Sequence, residues 1–418
     1  MTETLSVVIP AFNEANGIAG IIDRVLATRP ALASVDAELE LIVVDDGSRD
    51  GTAEVAAGYP EVRLVRHRTN HGYGAALKTG FARATGKWLG FLDADGTYPP
   101  EHFPALLQAA RQRQADLVIG SRMAGSDSEM PATRRVGNLF FAMLVSLIGN
   151  RHISDSASGM RVIRREVLGR LYPLPGGLNF TPVMTTRAVH EDLCMVEVAI
   201  PYAERVGRSK LSIVGDGTRF LQSIIWTALG YNPVRLLGTI GVACVAVAVA
   251  VGLGLLVTRL RGITTFGAWG AMAVFAAQVL AVAGVTIFSL GAMFNYLVSL
   301  FYREPIRQGL FGKPIFDPPL DRQFGWFGLA AVLAGLCVGI VSASFGVRGW
   351  PVSRLWLYLL GSAMLILVGL QLIISWVVMR ILEGLSQRQG QIATDLNGRL
   401  DDLMQGAVAR EATEESAE

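Results

Sequence analysis

The sequence predicts an α/β domain followed by a helical membrane domain, and two patterns lead to this prediction. In the first half, short runs of branched aliphatic residues alternate with segments of helical period, which is typical of βαβ units and a mainly parallel sheet. In the second half, four long stretches lack charged residues, and each has the roughly 20 residues that a bilayer-spanning helix needs. Only 17% of the residues are charged, against about 25% in soluble domains, which agrees with a membrane part in the second half. The length of 418 residues predicts two or more domains.

Six short segments of the first half are predicted strands, each followed by a polar turn. Helices are expected between them, the first ending near Thr28 and another carrying Lys78. The ligands of parallel α/β sheets bind at the carboxyl ends of the strands, so we expect the functional site at these turns. The predicted strands are residues 5–10, 40–44, 63–67, 88–92, 117–119 and 196–200.

The turn after the fourth predicted strand carries two acidic residues, Asp93 and Asp95. Residues two apart on extended backbone point to the same side, so both carboxylates are expected to face one spot. A hard divalent cation such as Mg²⁺ or Mn²⁺ suits this pair, because it combines a few carboxylate ligands with substrate phosphates. A solvated acidic turn is the alternative for an isolated Asp-x-Asp. The position after a strand of an α/β sheet favours the metal site.

One membrane span is predicted in each uncharged stretch. The second stretch is long for one helix and short for two, so its span is predicted at residues 269–296. The loop at 303–323 carries four Lys or Arg residues, whereas those at 258–261 and 348–354 carry two each. Positive residues favour the cytoplasm. This bias predicts a multi-pass protein of the cell (inner) membrane whose 303–323 loop, first domain and tail are cytoplasmic. The uncharged stretches are residues 236–257, 262–302, 324–347 and 355–379.

Two shorter segments are also candidates for contact with the membrane. Residues 219–231 mix large apolar and polar side chains, which is typical of a helix in the bilayer interface. Residues 138–148 are apolar but too short to span, so they form either a core helix or a helix at the membrane surface. The predicted domains are residues 1–212, an interfacial linker at 213–233, a transmembrane domain at 234–380 and a tail at 381–418.

Charge and cysteine content exclude some classes of partner and site. The formal net charge of +2 does not indicate a nucleic-acid-binding protein. Cys194, Cys244 and Cys337 lack the spacing of a disulfide framework or a metal site, so we expect packing residues in a reducing compartment. The first residues show no pattern of a signal peptide, and none is expected.

Four motifs occur in order: Val-Ile-Pro-Ala-Phe-Asn-Glu at 8–14, Val-Val-Asp-Asp-Gly-Ser at 43–48, Asp-Ala-Asp at 93–95 and Gly-Arg-Ser-Lys at 207–210. Together they resemble family 2 of the inverting nucleotide-sugar glycosyltransferases. Within it, the chain is similar to the polyprenyl- or dolichyl-phosphate sugar synthases, such as the dolichol-phosphate mannose synthases. The resemblance covers about residues 5–225 and implies a Rossmann-like (GT-A) domain. The membrane helices that follow suit the same subgroup.

The resemblance also implies roles for individual residues. Asp93 and Asp95 would hold the metal with the diphosphate. Many mannose synthases have Gln at the position of Thr97, which leaves the third metal ligand and the choice of mannose open. The nucleotide sugar would contact Pro10, Phe12, Asn13, Glu14, Asp45, Asp46, Asp93 and Ala94. The acceptor phosphate would contact Arg134, Arg135, Asp155, Ser158, Arg161, Ser209 and Lys210.

A polyprenyl phosphate is a suitable acceptor because its second pKa near 6 leaves it largely ionised at pH 7. It therefore needs cations to position it, and arginine binds phosphate through two parallel hydrogen bonds. Arg122 and Arg205 adjoin a strand end or a Gly turn, so with Asp95 they are the expected catalytic residues. The other basic residues within residues 120–210 either position the acceptor phosphate as well or only attract anionic lipid headgroups. Lys78 either meets a phosphate or lies on the surface, and the Glu-Asp pair at 191–192 is an alternative base.

The sequence thus predicts metal-dependent, inverting transfer of a hexose from a UDP- or GDP-sugar to an undecaprenyl, dolichyl or related phosphate, for envelope glycans or glycosylation. One alternative is a processive polysaccharide synthase, although the Gln-x-x-Arg-Trp motif typical of such enzymes is missing from the sequence. Another is a non-catalytic partner in lipid translocation, against which the intact acidic pair argues. The oligomeric state stays open, with a homo-oligomer among the alternatives.

Overall fold

The computed structural model describes residues 3–125, 130–203, 213–262, 267–302, 320–350 and 355–385. Contacts divide the chain after Ala228 into two compact units. The first contains the sheet and the second contains the long apolar helices.

The first unit is built on a seven-stranded mixed sheet in the order β3-β2-β1-β4-β6-β5-β7. All neighbouring strands are parallel except β6, which runs antiparallel between β4 and β5. The α/β fold with a mainly parallel sheet is therefore confirmed. The strands are β1 (Glu3–Ala11), β2 (Ala37–Asp45), β3 (Val62–Arg66), β4 (Trp88–Phe91), β5 (Leu117–Ser121), β6 (Arg161–Arg164) and β7 (Met195–Ala199).

Helices cover both faces of this sheet, because successive apolar residues of a strand point to opposite faces and both faces must be buried. Val7 and Val43 belong to one buried cluster, whereas Val8 and Ile42 belong to the other. Successive strand residues point to opposite faces, so a continuous aliphatic run requires cover on both sides. The helices are α1 (Ile18–Leu26), α2 (Arg29–Ala33), α3 (Thr52–Ala57), α4 (Tyr73–Arg83), α5 (Phe103–Gln112), α6 (Ala132–Gly149), α7 (Leu168–Leu171), α8 (Phe180–His190) and α9 (Ile213–Tyr231).

Some predicted boundaries differ from the structure. Strand β6 was not predicted, because its four residues carry an arginine at each end and follow a polar turn. Strand β4 ends at Phe91, one residue before the predicted end, so the acidic turn begins at Leu92. Helix α1 begins only at Ile18, which leaves residues 12–17 as a loop above the sheet edge.

Helix α6 contains residues 138–148, for which the sequence predicts either a core helix or a helix at the membrane surface. The helix has apolar residues on two faces. Ala142, Val145 and Ile148 are buried. The other face is exposed, with relative exposures of 52–70%, and its spacing of three and four residues forms one stripe along the helix. The exposed stripe consists of Val136, Leu139, Phe140, Met143 and Leu147.

The second unit has four helices long and apolar enough to cross a membrane, counted over the described residues. Their mean hydropathies of 2.2–2.8 confirm the four predicted apolar segments. They pack closely where glycines meet: a Cβ on Gly241 would lie 2.6 Å from the carbonyl oxygen of Gly284, and one on Gly328 as close to that of Gly369. Small residues at such crossings are typical of membrane helices. These helices are α10 (Pro233–Leu260), α11 (Ala268–Tyr302), α12 (Leu320–Val347) and α13 (Leu355–Leu385).

Candidate active site

A cavity of about 640 Å³ lies in the first unit, at the carboxyl edge of the sheet. Four strands deliver residues to its wall: Pro10 in β1, Asp46 after β2, Asp93 after β4 and Arg122 after β5. Helices α6, α8 and α9 supply the remaining side of the wall. Its volume lies in the range of small-molecule sites. The cavity is therefore where the strand-end argument predicted a ligand site.

The acidic pair occupies one part of this wall, where both Asp93 and Asp95 line the cavity. The Tyr73 hydroxyl donates to Asp93 Oδ1 at 2.8 Å. Asp95 Oδ1 accepts two bonds from Thr97, from the backbone N–H at 3.1 Å and from the hydroxyl at 2.6 Å. Burial, followed by the negative charge of Asp93, raises the pKa of Tyr73 well above its usual value. The tyrosine therefore stays protonated and donates.

Asp46 lines the cavity but is only 3% exposed. Its Oδ1 accepts from the backbone N–H of His71 at 2.9 Å and lies 2.7 Å from His67 Nδ1. Its Oδ2 accepts from the backbone N–H of Gly72 at 2.8 Å. Asp45 is also buried, and its Oδ1 accepts from the backbone N–H of Ser48. The two aspartates thus fix the loops after β2 and before α4.

The loop after β1 divides its residues between the cavity and the neighbouring loop. Phe12 and Glu14 line the cavity. Asn13 adopts a left-handed φ of 51°, which Asn tolerates better than most residues. Its Oδ1 accepts from the backbone N–H of Arg49, and its own N–H donates to Ser48 Oγ, both at 2.9 Å. In these contacts Asn13 braces the loop after β2.

Arg122 reaches the cavity wall from the end of β5 and is held by a fully buried carboxylate. Its Nε and Nη2 donate to Asp155 Oδ2 and Oδ1 at 2.7 and 2.8 Å. Asn138 Nδ2 also donates to Asp155 Oδ1, at 3.0 Å. Burial alone would raise the pKa of Asp155, but the charge and hydrogen bonds of Arg122 and the bond from Asn138 hold it below the usual range. A paired arginine can thus face the cavity in a fixed orientation.

Two tyrosines with no predicted role, Tyr98 and Tyr202, flank this arginine. The guanidinium carbon of Arg122 lies 5.8 Å from the ring centre of Tyr98 and 5.6 Å from that of Tyr202, within the range of cation–π contacts. The Tyr98 hydroxyl accepts from the backbone N–H of Gly159 at 2.7 Å. Tyr98 belongs to the acidic turn itself, and a large aromatic residue there was the available sequence signal.

Helices α6 and α9 add basic and aromatic residues to the wall. Arg134 and Asn138 in α6 line the cavity, as does Arg219 in α9. The rings of Phe141 and Phe220 also line it and pack against each other with centroids 5.8 Å apart. Arg219 and Asn138 had no predicted role. Their contribution depends on a helix–helix contact between residues about 80 positions apart, which the sequence pattern does not show.

The predicted phosphate turn is buried behind the wall. Asp155, Ser158 and Arg161 are all fully buried and do not line this cavity. Arg161 Nε and Nη2 donate to the carbonyls of Ser158 and Ser156 at 3.0 and 2.8 Å. Burial lowers the pKa of Arg161 to about 10, so it remains charged at neutral pH. In this structure the three side chains support the wall from behind, and their contact with the acceptor phosphate stays a prediction.

Three other residues with predicted roles, Lys78, Arg135 and Glu191, do not line the cavity. Lys78 Nζ donates to the carbonyl of Leu174 at 2.9 Å and does not line the cavity, so its contact with a phosphate stays a prediction. Arg135 is exposed on α6 outside the cavity. Glu191, part of the alternative base, pairs with Arg170 at 3.3 Å and does not line the cavity either. The predicted residues Arg205, Ser209 and Lys210 lie outside the described residues.

The donor set fits a divalent cation in company with a diphosphate. Within the described ranges, no group of three or more His, Cys, Asp or Glu side chains could hold a metal. The pair of Asp93 and Asp95 supplies hard oxygen ligands, and Mg²⁺ commonly takes one or two carboxylates and completes its shell with phosphate oxygens and water. The same pair without a diphosphate would be a weak site.

Residues 6–172 match Glycosyl transferase family 2. The chain is 30% identical over 278 residues to an undecaprenyl-phosphate 4-deoxy-4-formamido-L-arabinose transferase of Photorhabdus laumondii, covering 65% of this chain and 81% of that protein. The chain belongs to glycosyl transferase family 2. A second relative, a dolichyl-phosphate hexose transferase of Haloferax volcanii, is 30% identical over 230 residues, covering 54% of this chain and 95% of the relative.

Further comparisons show how far the likeness extends. The low-salt glycan biosynthesis hexosyltransferase Agl6 of Haloferax volcanii is 35% identical over 231 residues, covering about half of each chain, 54% in both cases. Residues 233–393 match a domain of unknown function, DUF8752. A crystal structure of glucosyl-3-phosphoglycerate synthase from Mycobacterium tuberculosis, in complex with Mn²⁺, UDP and glucosyl-3-phosphoglycerate, covers 54% of this chain and 80% of its own, with 22% identity and a TM-score of 0.45.

Proposed function

We propose that this family 2 glycosyltransferase moves a hexose from a nucleotide-diphosphate sugar to a polyprenyl phosphate in a membrane. One observation carries the proposal: a single cavity brings the acidic pair together with Arg122, which is held by a buried carboxylate. The acidic pair suits a metal ion bound to a diphosphate, and Arg122 suits an anionic nucleophile. The names of the undecaprenyl- and dolichyl-phosphate relatives agree with this acceptor class.

The donor would occupy the side of the cavity formed by the loops after β1, β2 and β4. Phe12 and Asp46 would contact the nucleoside, and Asp93 and Asp95 would hold Mg²⁺ or Mn²⁺ with the diphosphate. The cation would neutralise charge that develops on the leaving diphosphate. The protein's own part is to keep both carboxylates oriented, through the bonds from Tyr73 and Thr97.

The acceptor phosphate would approach Arg122 from the side formed by α6 and α9. A phosphate oxygen attacks the anomeric carbon from the face opposite the leaving diphosphate, so the configuration inverts. The bond between that carbon and the diphosphate oxygen breaks. The ionised acceptor has no proton to lose, which removes the need for the Glu-Asp base at 191–192. Arg134 and Arg219 line the same side and would attract the lipid phosphate.

The isoprenoid chain needs an apolar path, and the first unit offers apolar surface close to the arginines. Phe141, Phe220 and Met130 line the cavity on this side. The exposed stripe of α6 and Trp226 of α9, which is 66% exposed, have the character of helices at a bilayer surface. On this basis α6 would lie at the membrane surface as well as against the core. The excess of Lys and Arg in the 303–323 loop supports a cytoplasmic position of the first unit.

The direct test is synthesis of a labelled lipid. Purified full-length protein is incubated with undecaprenyl phosphate, Mn²⁺ or Mg²⁺ and radiolabelled UDP- or GDP-hexoses in turn. We expect one donor to yield an organic-soluble product that releases its sugar in mild acid. Asp95→Asn should abolish the product, because the metal–diphosphate loses one of its two negatively charged protein ligands. Asp36→Asn, the same change at an exposed turn, should leave it unchanged and serves as the matched control.

Two results would count against the proposal. Equal activity of the Asp95→Asn and Asp36→Asn variants would remove the acidic pair from the chemistry. A glycanase-sensitive polymer in place of a lipid-linked single sugar would instead support a processive synthase. A chelator such as EDTA should stop the reaction, and added Mn²⁺ should restore it.

A further inference from the structure

We propose that the hydroxyl groups of Tyr73 and Thr97 position the two carboxylates of the divalent-metal site, one hydroxyl for each carboxylate. The inference rests on the proposed function, because it takes Asp93 and Asp95 as the metal ligands. Tyr73 lies at the first residue of α4, distant in sequence from the acidic turn. The motifs that identify the family do not include it.

Asp93 is held from two sides. On one side the Tyr73 hydroxyl donates to Oδ1 at 2.8 Å, and the Tyr73 ring is itself fixed edge-to-face against Phe180, with centroids 6.4 Å apart. On the other side is Gly159: a Cβ there would lie 2.7 Å from Asp93 Oδ2 and 2.9 Å from Oδ1. The backbone of Gly159 thus closes on the carboxylate, and the tyrosine selects how the carboxylate rotates in the remaining space.

Asp95 is held by Thr97, which is 2% exposed. The backbone N–H and the hydroxyl of Thr97 both donate to Oδ1, at 3.1 and 2.6 Å. The carbonyl of Thr97 accepts from the backbone N–H of Ala203 at 3.2 Å, which anchors the turn to the segment after β7. Each carboxylate therefore receives a hydroxyl bond on its Oδ1 atom.

Such support matters most for a site with few protein ligands. Among the described residues, no group of three or more His, Cys, Asp or Glu side chains could hold a metal, so the orientation of Asp93 and of Asp95 determines whether both reach one cation. Partners that hydrogen-bond to metal-ligating groups fix their orientation, and their loss typically costs 10–100-fold in metal affinity or activity. Tyr73 and Thr97 have the contacts that this role requires.

The test measures metal binding directly. Full-length protein in detergent, with a saturating concentration of UDP or GDP, is titrated with Mn²⁺, and free Mn²⁺ is followed by electron paramagnetic resonance. We expect Tyr73→Phe and Thr97→Val each to raise the Mn²⁺ Kd by about 10–100-fold. Thr97→Ser retains the hydroxyl and should restore binding. Nucleotide binding without metal should not change in any variant, whereas general loss of structure would weaken it.

The chain offers matched controls for both changes. Tyr59 is partly buried and does not line the cavity, so Tyr59→Phe makes the same substitution away from the site. Thr85 donates to Glu40 from both its backbone N–H, at 2.7 Å, and its hydroxyl, at 3.0 Å, so Thr85→Val repeats the geometry of the Thr97 change. Neither control should alter the Mn²⁺ Kd.

Two outcomes would overturn the inference, and they differ in what else they overturn. If the unaltered protein binds Mn²⁺ and both variants bind it equally well, the positioning role is wrong while the metal site stands. If the unaltered protein binds no Mn²⁺ with either nucleotide, the metal dependence of the proposed function fails together with the inference.

Discussion

The buried pair of Arg122 and Asp155 allows a sharp prediction about stability. Asp155 is 0% exposed and Arg122 12% exposed at the side chain, and two parallel hydrogen bonds join them. Asp155→Asn preserves the shape but leaves the arginine without its counter-charge. Breaking a buried ion pair in this way costs about 3–5 kcal/mol. The first unit should therefore lose that much of its free energy of unfolding.

Hydrogen–deuterium exchange of peptides from β1 and β5 measures this loss within the intact protein. Core amides exchange through global opening of their unit, so about 3–5 kcal/mol corresponds to exchange faster by roughly a hundredfold to several thousandfold. Glu101→Gln is the matched control. Arg24 and Glu101 make the same pair of parallel bonds at 2.9 and 3.0 Å, but their side chains are 42% and 53% exposed.

Exposed ion pairs contribute about 0–1 kcal/mol, so the control should change exchange by no more than about fivefold. Adding Arg122→Met to Asp155→Asn should recover much of the loss, because the unpaired buried charge is then removed. Equal effects of Asp155→Asn and Glu101→Gln would refute the reasoning. It would mean that Arg122 does not depend on its buried partner for stability.

Four further predictions concern the pH dependence of stability, the metal site, the acceptor and the orientation in the membrane. The pKa of Asp155 lies below the usual 3.8, so ionised Asp155 should stabilise the first unit above pH 3.8 and lose this effect as the pH falls through the lowered pKa. Opening free energies, taken from exchange rates corrected for the intrinsic pH dependence of exchange, measure this loss; Asp155→Asn should make their dependence on pH smaller, and an unchanged dependence would contradict the reasoning. Gly159→Ala should lower turnover and Mn²⁺ affinity, because its Cβ would displace the Asp93 carboxylate; unchanged Mn²⁺ binding would contradict the close approach. Arg205→Ala should raise the KM for the lipid phosphate more than that for the nucleotide sugar, and an equal rise in both would remove its assignment to the acceptor. Cys194 is exposed in the first unit. In a variant that also carries Cys244→Ala and Cys337→Ala, a membrane-impermeant maleimide should label Cys194 only after cell lysis, and labelling of intact cells would reverse the proposed orientation.

The sequence predicts the carboxyl edge of the sheet well because strand ends and their turns are local features. Pro10, Asp46, Asp93 and Arg122 all follow or end aliphatic runs, and all four line the cavity. The membrane helices are equally local, since about 20 apolar residues in a row have few other uses. These parts of the fold need only periodicity and length.

The sequence does not predict which polar residues become buried. A fully buried Asp155 requires a partner 33 residues away in Arg122, and charged residues are rarely buried unless they are paired. Lys78 could be placed on a helix near the cavity, but its bond to the carbonyl of Leu174 depends on a loop 96 residues later. Tyr73 and Tyr202 join the site for the same reason, through contacts that no local pattern contains.

The acidic turn connects the two sides of the cavity. Tyr98 follows Asp93 and Asp95 in this turn, its ring lies against Arg122, and its hydroxyl accepts from Gly159. Gly159 in turn closes on the Asp93 carboxylate. One tyrosine and one glycine thus fix the negative and the positive elements relative to each other. Transfer needs the donor and acceptor phosphates at a set separation. Tyr98→Leu should therefore lower kcat more than it raises the KM of either substrate. A change confined to KM would show that the two sides of the cavity are positioned independently.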